Sequence, residues 1–393
     1  MLTGESILCF APDPWNDIWR NRHQIMSLMA ESNRVLYVEP RPYLREVLTH
    51  PLPSASAPRL RHVGDGDPAP GTGLFVYRPP RYAPLSGRAP LSSVTAWLRE
   101  SSLRRTLHRL RMRAPILWLY RPDMADLPGR CGERLVIYHI VDEYVGYAAL
   151  DAERAERVRQ RERALIARAD LVLVTSQELL ASKGGINPNT HWVPNAVDYG
   201  RFAQAARARA LPAELAGLPR PWIGYVGAIN DKIDLPLLEQ VAQRWPQATL
   251  VLVGPERVHE PGNLAAAERL HARPNVRFVG QVGVERVPEF VAACDVGLLP
   301  YRLNDWTRNI HPLKLYEYLA CGLPVVSTDI PAVQEQADVV QIAADATQFV
   351  SAIAVALSQA EEFAAERQAR AAANTWRQRV EQISELVERT RSS

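Results

Sequence analysis

The sequence has few cysteines, little net charge and no long apolar run. Its four cysteines lie far apart without a Cys-x-x-Cys pair, which argues against a zinc centre or a disulfide framework and fits a reducing cytosol. The 46 basic and 43 acidic residues leave a net charge of +3, and no basic patch with interleaved aromatics occurs, so no nucleic-acid partner is expected. No apolar run approaches the roughly 18 residues of a membrane span, and the first residues lack the pattern of a cleaved signal. We therefore expect a cytoplasmic protein.

Lysine is scarce as well. The chain has 43 arginines but only three lysines, Lys183, Lys232 and Lys314. A GC-rich genome, which encodes arginine by default, explains this excess of arginine. A lysine inside a binding site would then indicate chemistry that prefers a compact ammonium to a planar guanidinium.

The length and the apolar pattern predict an α/β protein of two doubly wound, Rossmann-like domains. A chain of 393 residues with 47% hydrophobic residues exceeds the size at which a single core stops growing. Short apolar runs alternate with amphipathic helical stretches, and several runs are apolar at consecutive positions, as in strands buried on both faces of a parallel sheet. The predicted strands are residues 6–10, 35–38, 74–77, 116–120, 135–140, 171–175, 222–226, 249–253, 276–279, 296–299 and 324–327.

The two sets of strands are separated by residues 198–221, which are rich in alanine and arginine. We predict a first domain at 1–200, a connection at 201–221, a second domain at 222–374 and a terminal helix at 375–393. Open α/β sheets bind ligands at the carboxyl ends of their strands, so two such domains are expected to place a cleft between those ends. The apolar stripe of the terminal helix packs either on its own domain or back on the first.

Residues 40–90 depart from this alternation, because they hold 11 of the 31 prolines. Proline removes a backbone donor, so most of this segment is expected to be irregular. It is either a functional rim loop or a variable surface excursion.

The strongest local signal is residues 309–328, NIHPLKLYEYLACGLPVVST. Pro312 suits the first turn of a helix and Gly322 suits its end, so the helix N-terminus is expected to present free N–H groups and a positive dipole end to an anion. Lys314 and Glu317 are three residues apart and share one face near that end. The lysine can neutralise a diphosphate and the carboxylate can accept hydrogen bonds from a ribose. The alternative is an ordinary surface salt bridge.

This segment resembles the C-terminal signature of retaining GT-B glycosyltransferases, in the family 4-like group that makes bacterial surface polysaccharides, and is similar to the teichuronic-acid type. Glu317 matches the second of the family's two glutamates, and GLPVVST matches the run that follows. Asn309 stands where the first glutamate is usual. Other matches follow in the family's order: RADLVLVTSQEL at 168–179, HWVPNAVDYGRF, the connector before the second domain, at 191–202, WIGYVGAINDKIDLPLL at 222–238 and the tryptophan-bearing terminal helix at 375–389. The resemblance implies that this last helix packs back on the first domain.

A glycine pattern, Gly224-x-x-Gly227, follows the first predicted strand of the second domain, and glycine lets a phosphate approach the backbone. It is not Gly-x-Gly-x-x-Gly, which disfavours a dinucleotide dehydrogenase. Family members place an arginine and a lysine after this glycine; here Ala228 stands at the arginine position and Lys232 approximates the lysine. The resemblance implies that a nucleotide-diphosphate sugar is bound without metal or cofactor by Gly227, Lys232, Lys314 and Glu317, with Asn309 and His311 as catalytic residues that face the sugar.

The first domain is expected to receive the acceptor. DPWNDIWRNRHQ follows the first strand, WLYRPD ends the fourth and IYHIVDEY ends the fifth, and these ends lie at the customary edge of an α/β cleft. We expect Trp15, Arg20 and Tyr120 on the acceptor side and Asp142 as a catalytic residue. For the first of these segments, the alternative is that its polar residues are simply solvated beside a packed aromatic. His139 lies inside a predicted strand, where a structural role is the alternative to a role in the site.

Residues 97–113 carry six arginines interleaved with leucines. A basic amphipathic helix of this kind can lie on an anionic membrane surface and would suit a lipid-diphosphate acceptor. The alternative is a helix that packs on the core and exposes a solvated basic face.

Taken with the resemblance, these residues predict a glycosyltransferase that moves a sugar from a nucleotide diphosphate to a glycan or lipid-linked acceptor, with retention, in bacterial cell-surface glycan synthesis. It would be cytoplasmic or peripheral at the inner face of the membrane. Two alternatives stay open: a nucleotide-sugar epimerase of the same architecture, and a non-catalytic nucleotide-sugar-binding subunit, which Asn309 and Ala228 suggest.

Overall fold

The computed structural model describes residues 1–41, 59–64, 68–84, 91–146 and 151–392. They divide into two compact units. The first contains the described residues of Met1–Val193 and Arg379–Ser393, and the second contains Pro194–Gln378. Each unit is built on a mainly parallel sheet with its own core.

The described strands of the first unit form one sheet in the order β3-β4-β2-β1-β5-β6-β7-β8. All pairs are parallel except β3 with β4. Every residue of β5, β6 and β7 is buried, as their almost wholly apolar runs require. The strands are β1 (Ser6–Phe10), β2 (Arg34–Val38), β3 (Leu60–Val63), β4 (Gly73–Tyr77), β5 (Ile116–Leu119), β6 (Leu135–Ile140), β7 (Leu171–Val174) and β8 (Thr190–Trp192).

The described helices of the first unit are α1 (Asn21–Ala30), α2 (Leu91–Arg109), α3 (Ala152–Arg168) and α4 (Gln177–Lys183). Short 3₁₀ turns follow β5 at Pro122–Met124 and β6 at Tyr144–Gly146. Asp151 and Ser176 accept backbone N–H groups at the starts of α3 and α4, which satisfies donors that a helix leaves unpaired.

The second unit holds a parallel sheet in the order β13-β11-β9-β14-β15-β16 and a separate pair, β10 with β12. The sheet grows in both directions from β9, which is the order of a dinucleotide-binding fold. The strands are β9 (Trp222–Val226), β10 (Ile229–Asn230), β11 (Thr249–Val253), β12 (Glu256–Arg257), β13 (Val276–Gly280), β14 (Val296–Leu299), β15 (Val325–Thr328) and β16 (Gln341–Ala343).

The helices that accompany this sheet are α5 (Tyr199–Ala208), α6 (Leu235–Arg244), α7 (Pro261–His271), α8 (Val287–Ala293), α9 (Leu313–Ala320), α10 (Pro331–Gln334), α11 (Ala346–Ser358) and α12 (Ala364–Ala372). The last helix, α13 (Trp376–Ser392), starts in the second unit and continues in the first. There the Gln382 amide donates to the Trp192 carbonyl (3.1 Å) and Arg391 pairs with Glu5 (2.9 Å).

The predicted fold class, doubly wound α/β, is confirmed, and all eleven predicted strands form. The sequence missed β3, β8, β10, β12 and β16, which are short and lie at sheet edges or outside the main sheets. β3 and β4 fall inside the proline-rich 40–90, of which residues 42–58, 65–67 and 85–90 lie outside the described residues.

The basic helix predicted at residues 97–113 is α2, which begins at Leu91 and ends at Arg109. It stops there because Arg111 has a left-handed backbone, with a φ of 53°, and the Met112 N–H donates back to the Leu107 carbonyl (2.9 Å). None of the described helices is long and apolar enough to cross a bilayer.

One contact between β14 and α9 tests how tightly the second core is packed. The Tyr318 ring lies against Gly297, and its hydroxyl accepts the Val226 N–H (3.0 Å). A Cβ at Gly297 would lie 2.6 Å from a carbon of this buried ring, closer than side chains tolerate. The absence of a side chain at Gly297 therefore fixes where Tyr318, and with it α9, docks on β14.

We expect Gly297→Ala to lower the free energy of unfolding by about 1–3 kcal/mol, because an overpacked core must shift. Gly185→Ala is the matched control, since a Cβ there meets no atom within 4 Å. Urea unfolding measures both, and equal stabilities would contradict this account of the packing.

Candidate functional site

The sheet of the second unit changes direction between β9 and β14, and ligands of open α/β folds bind at such a point. The loops that follow these two strands are joined by backbone hydrogen bonds, from Asp234 to Pro300 (2.8 Å) and from Arg302 to Lys232 (2.9 Å). Ile233 and Tyr301 form an antiparallel bridge between the same loops. The two loops at the switch point are therefore one connected piece of backbone.

Lys314 lies across the end of β9. A Cβ at Gly227 would collide with Cε and Nζ of Lys314, and Gly227 has a left-handed φ of 149°. The Lys314 ammonium also lies 5.2 Å from the centre of the Tyr225 ring, which steadies a cation at this place. The structure thus brings together Gly227 and Lys314, two predicted site residues that are 87 positions apart in sequence.

Helix α9 presents its N-terminus beside Lys314. Pro312 is the residue before the first turn, and no side chain caps this end. The first N–H groups of a helix have no partner within it, and they carry the positive end of the helix dipole. Together with the Lys314 ammonium, they make the end of β9 electropositive.

Glu317 lies one turn into α9 and is half-buried. Burial raises the pKa of its carboxyl group, while the charges of Lys314 and Arg201 act in the opposite direction. Among the described residues, none donates a hydrogen bond to this carboxylate. A half-buried carboxylate without donors is unfavourable for folding and is suited to a ligand that brings hydroxyl groups.

Lys232 lies on the loop after β9, with its ammonium 4.5 Å from the centre of the Trp306 ring. Trp306 directly precedes the 3₁₀ turn Thr307–Asn309, where the Asn309 amide donates to the Asp305 carbonyl (2.7 Å). The sequence predicted Lys232 and Asn309 as site residues but missed Trp306, whose indole contacts Lys232. The one sequence signal for Trp306 is that it is a tryptophan in the loop after β14.

His311 is buried at the start of α9, where its ring stacks on Tyr316 at 5.7 Å. The Asn195 amide donates to the His311 carbonyl (2.6 Å). Asn195 belongs to the family-like segment at 191–202, and the sequence alone assigns it no role in the site. Its amide fixes the backbone from which α9 starts.

In the first unit, Trp15 and Arg20 follow β1. Trp15 is buried against Tyr37 at 5.0 Å and His23 at 5.2 Å. The Arg20 side chain is 40% exposed and lies 3.5 Å from the Asp13 carboxylate. Trp15 is therefore part of the packing below the carboxyl edge of this sheet, whereas Arg20 reaches the surface.

Tyr120 and His139 lie at the ends of the neighbouring strands β5 and β6. Tyr120 is fully buried, with its ring 5.1 Å from the His139 ring and 5.6 Å from the Arg22 guanidinium. Burial, with a smaller contribution from Arg22, lowers the pKa of His139 to about 3, so this ring is neutral at physiological pH. Asp142 follows β6 and is 9% exposed.

The described residues contain no group of three or more His, Cys, Asp or Glu side chains arranged to hold a metal ion.

Residues 220–359 match the family described as glycosyl transferases group 1. The chain is 29% identical over 227 residues to a Bacillus subtilis (strain 168) protein named as a teichuronic acid biosynthesis glycosyltransferase, TuaH. That alignment covers 55% of this chain and 56% of the relative, so it spans little more than half of either protein.

Two solved structures share the fold. Sucrose-phosphate synthase from Thermosynechococcus elongatus superposes with a TM-score of 0.71 over 99% of both chains, at 17% identity. Anabaena HepE in complex with UDP and glucose gives a TM-score of 0.66 over 98% of this chain and 99% of that one, at 15% identity. These structural matches are to GT-B glycosyltransferases, as the sequence predicted.

The raised pKa of Glu317 predicts a pH-dependent effect of Glu317→Gln on stability. Below the ordinary pKa of 4.5 the glutamate is protonated in folded and unfolded chains alike, so the variant and the parent are expected to differ little. As the pH rises, the unfolded chain ionises first and the parent loses stability relative to the variant. We expect Glu317→Gln to melt a few degrees higher at pH 7.5, with exposed Glu361→Gln as the control. A parent that is more stable than Glu317→Gln at pH 7.5 would contradict the direction of this shift.

Proposed function

We propose that this chain, whose residues 220–359 are a glycosyl transferases group 1 domain, transfers a sugar from a nucleotide-diphosphate donor to a glycan or lipid-linked acceptor in bacterial cell-surface polysaccharide synthesis. The observation that carries the proposal is the arrangement at the end of β9. Lys314 lies over Gly227, the start of α9, which no side chain of the described residues caps, lies beside it, and the Glu317 carboxylate follows one turn later with no donor in the part of the chain that the structure describes.

Each part of this arrangement suits one part of the donor. In our proposal the diphosphate binds at the electropositive end of β9, where Lys314 and the N–H groups of α9 neutralise it. The Glu317 carboxylate accepts hydrogen bonds from the two ribose hydroxyls, and Lys232 contributes a second ammonium to the diphosphate. Asn309 and His311, at the start of α9, face the sugar. The relative TuaH and the UDP complex of HepE support this class of substrate.

The acceptor is assigned to the first unit. Arg20 offers a partly exposed cation after β1, and Asp142 offers a carboxylate after β6. Both follow the carboxyl ends of strands, where open sheets bind ligands. Trp15 and Tyr120 are assigned a supporting role here, because both side chains are buried.

The rate enhancement would come from positioning and from stabilising the leaving group. As the bond between the sugar C1 and the phosphate oxygen breaks, negative charge grows on the diphosphate, and Lys314 and the helix N-terminus already face it. The acceptor hydroxyl passes its proton to the departing diphosphate oxygen while its own oxygen bonds to C1 on the face that the diphosphate leaves, so the anomeric configuration is kept. We propose that these fixed cations perform the step without a metal.

Donor binding tests the site. We expect Lys314→Gln and Glu317→Gln each to weaken the binding of the matching nucleotide sugar by about 10- to 100-fold, because a hydrogen bond to a charged group contributes roughly 1.5–3 kcal/mol. Calorimetry over a panel of nucleotide sugars measures the affinity, with exposed Arg207→Gln as a control for the lost charge. Unchanged affinity in both variants would contradict the assignment.

Product analysis tests the reaction. With donor and acceptor together, we expect a new glycoside whose anomeric proton coupling matches that of the donor, and an unchanged rate with EDTA. Donor converted to an isomer without acceptor would identify an epimerase instead. Donor bound without turnover across the acceptor panel would identify a binding subunit.

A further inference from the structure

Lys232 lies on a loop whose backbone is bonded on both sides of this residue. The Lys232 N–H donates to the side-chain oxygen of Asn230 (3.1 Å), and the Lys232 carbonyl accepts the Arg302 N–H (2.9 Å). Asp231, the neighbouring residue, accepts the backbone N–H of Glu260 (3.1 Å). The loop is thus tied to the loop after β14 and to the start of α7. The position of the Lys232 ammonium therefore depends on its flexible side chain and not on its backbone.

The indole of Trp306 is placed by a tight turn in the loop after β14. The side-chain oxygen of Asn304 accepts the backbone N–H groups of Trp306 and Thr307, both at 3.0 Å. An asparagine that accepts the N–H two residues further on fixes a turn of this kind. Thr307 is fully buried, so the turn is also anchored in the core. The position of the indole is therefore set by the fold of the second unit and not by a ligand.

The Lys232 ammonium lies 4.5 Å from the centre of the half-buried Trp306 ring. The face of an aromatic ring is its electron-rich part, and an indole attracts a cation more strongly than a phenol or a phenyl ring does. Lys314 has a similar contact, 5.2 Å from the centre of the Tyr225 ring. Both lysines of the second unit thus lie on aromatic rings, and such a ring orders an ammonium while adding no net negative charge to the site.

An ordered ammonium binds an anion at a smaller entropic cost. A lysine on a flexible stem loses rotamer freedom when it binds an anion, and this loss reduces the affinity. Where a ring already orders the ammonium, less freedom is lost on binding. Two ordered ammonium groups, those of Lys232 and Lys314, suit an anion with two charged centres better than an anion with one. The Trp306 ring is therefore expected to matter more for a diphosphate than for a single phosphate.

We propose that Trp306 is a positioning residue, which holds the Lys232 ammonium for the second phosphate of the donor and so contributes to the selection of a diphosphate over a monophosphate. In this proposal Trp306 acts through Lys232 and does not itself contact the substrate. The inference rests on the proposed function, which assigns Lys232 to the diphosphate. It adds a residue that lies outside the family-like segment at 309–328 and to which the resemblance assigned no role.

The scarcity of lysine makes the placement of Lys232 directly measurable, because the chain contains only three lysines. Reductive methylation of the full chain with isotope-labelled formaldehyde keeps the positive charge of each accessible lysine and gives it its own N-methyl NMR signal. We expect the indole ring to shift the Lys232 signal upfield in the parent; the loss of this signal in Lys232→Gln identifies it. In Trp306→Leu the signal should move to the position of a lysine in water. The control is Trp97→Leu, which removes an indole that is 65% exposed and should leave the signal unchanged.

Titration with inorganic pyrophosphate and with inorganic phosphate, followed by the Lys314 signal that all these variants keep, measures the selection. We expect Trp306→Leu to lower the ratio of the two affinities about two- to five-fold, as the loss of a partly exposed cation–π contact implies. Trp306→Phe should lie between Trp306→Leu and the parent, and it serves alone if the leucine variant does not fold.

A double variant separates positioning from a loss of structure. In the Lys232→Gln background, Trp306→Leu should lower the ratio no further, because the ring then has no ammonium to hold. A general loss of structure would weaken the binding of both anions alike and would leave their ratio unchanged. The ratio, and not the affinity for either anion, is therefore the measurement that decides.

Three results would overturn the inference alone, while nucleotide-sugar binding by the parent leaves the proposed function standing. An unshifted Lys232 signal in the parent would show that the ring does not hold the ammonium. An unchanged ratio in Trp306→Leu would show that the ring has no part in the selection. A higher ratio would show that the ring holds the ammonium away from the anion. A parent that binds neither pyrophosphate nor any nucleotide sugar would instead contradict the proposed function, and this inference with it.

Discussion

A cation can approach the end of a buried parallel strand only if no side chain stands in its way. Gly227 meets this condition, and the Lys314 side chain occupies the space that a Cβ would need. The rest of the candidate donor site depends on this contact, because it fixes the ammonium at the switch point of the sheet. Helix α9 supplies both Lys314 and Glu317, and Tyr318 on the same helix bonds to the backbone of β9. One helix, docked on one strand, therefore sets the spacing between a cation and a carboxylate.

The fold could be predicted from the sequence because its strands are buried on both faces. Runs such as residues 135–140 and 249–253 are apolar at every position or nearly so, and such runs become central strands. The edge strands carry no comparable signal: β8 is three half-buried residues, and β12 is two exposed charged ones. Their pairing is decided by neighbours that are distant in sequence, and a local pattern does not contain that information.

The candidate site could be predicted only where its residues are close in sequence. Lys314 and Glu317 share a helix, so their common face follows from helical spacing. That Gly227 and Lys314 belong to one site was predicted only from the family resemblance, because no local sequence pattern relates residues 87 positions apart. Asn195 and Trp306 were missed because their partners are distant in sequence. The Asn195 amide donates to the His311 carbonyl, and the Trp306 indole contacts the Lys232 ammonium, and both contacts arise only in the folded chain. The buried positions of Trp15 and Tyr120 follow likewise from packing and not from order along the chain.

The backbone bonds between the loops after β9 and β14 have a mechanical consequence. Lys232 and Trp306 belong to loops that are clamped together by Ile233 and Tyr301, so neither loop is able to shift without carrying the other. Lys314 and Glu317 sit instead on a helix anchored to the sheet. The two lysines therefore belong to different parts of the second unit, Lys232 to the bonded pair of loops and Lys314 to the helix, and the distance between their ammonium groups is set by how these two parts pack.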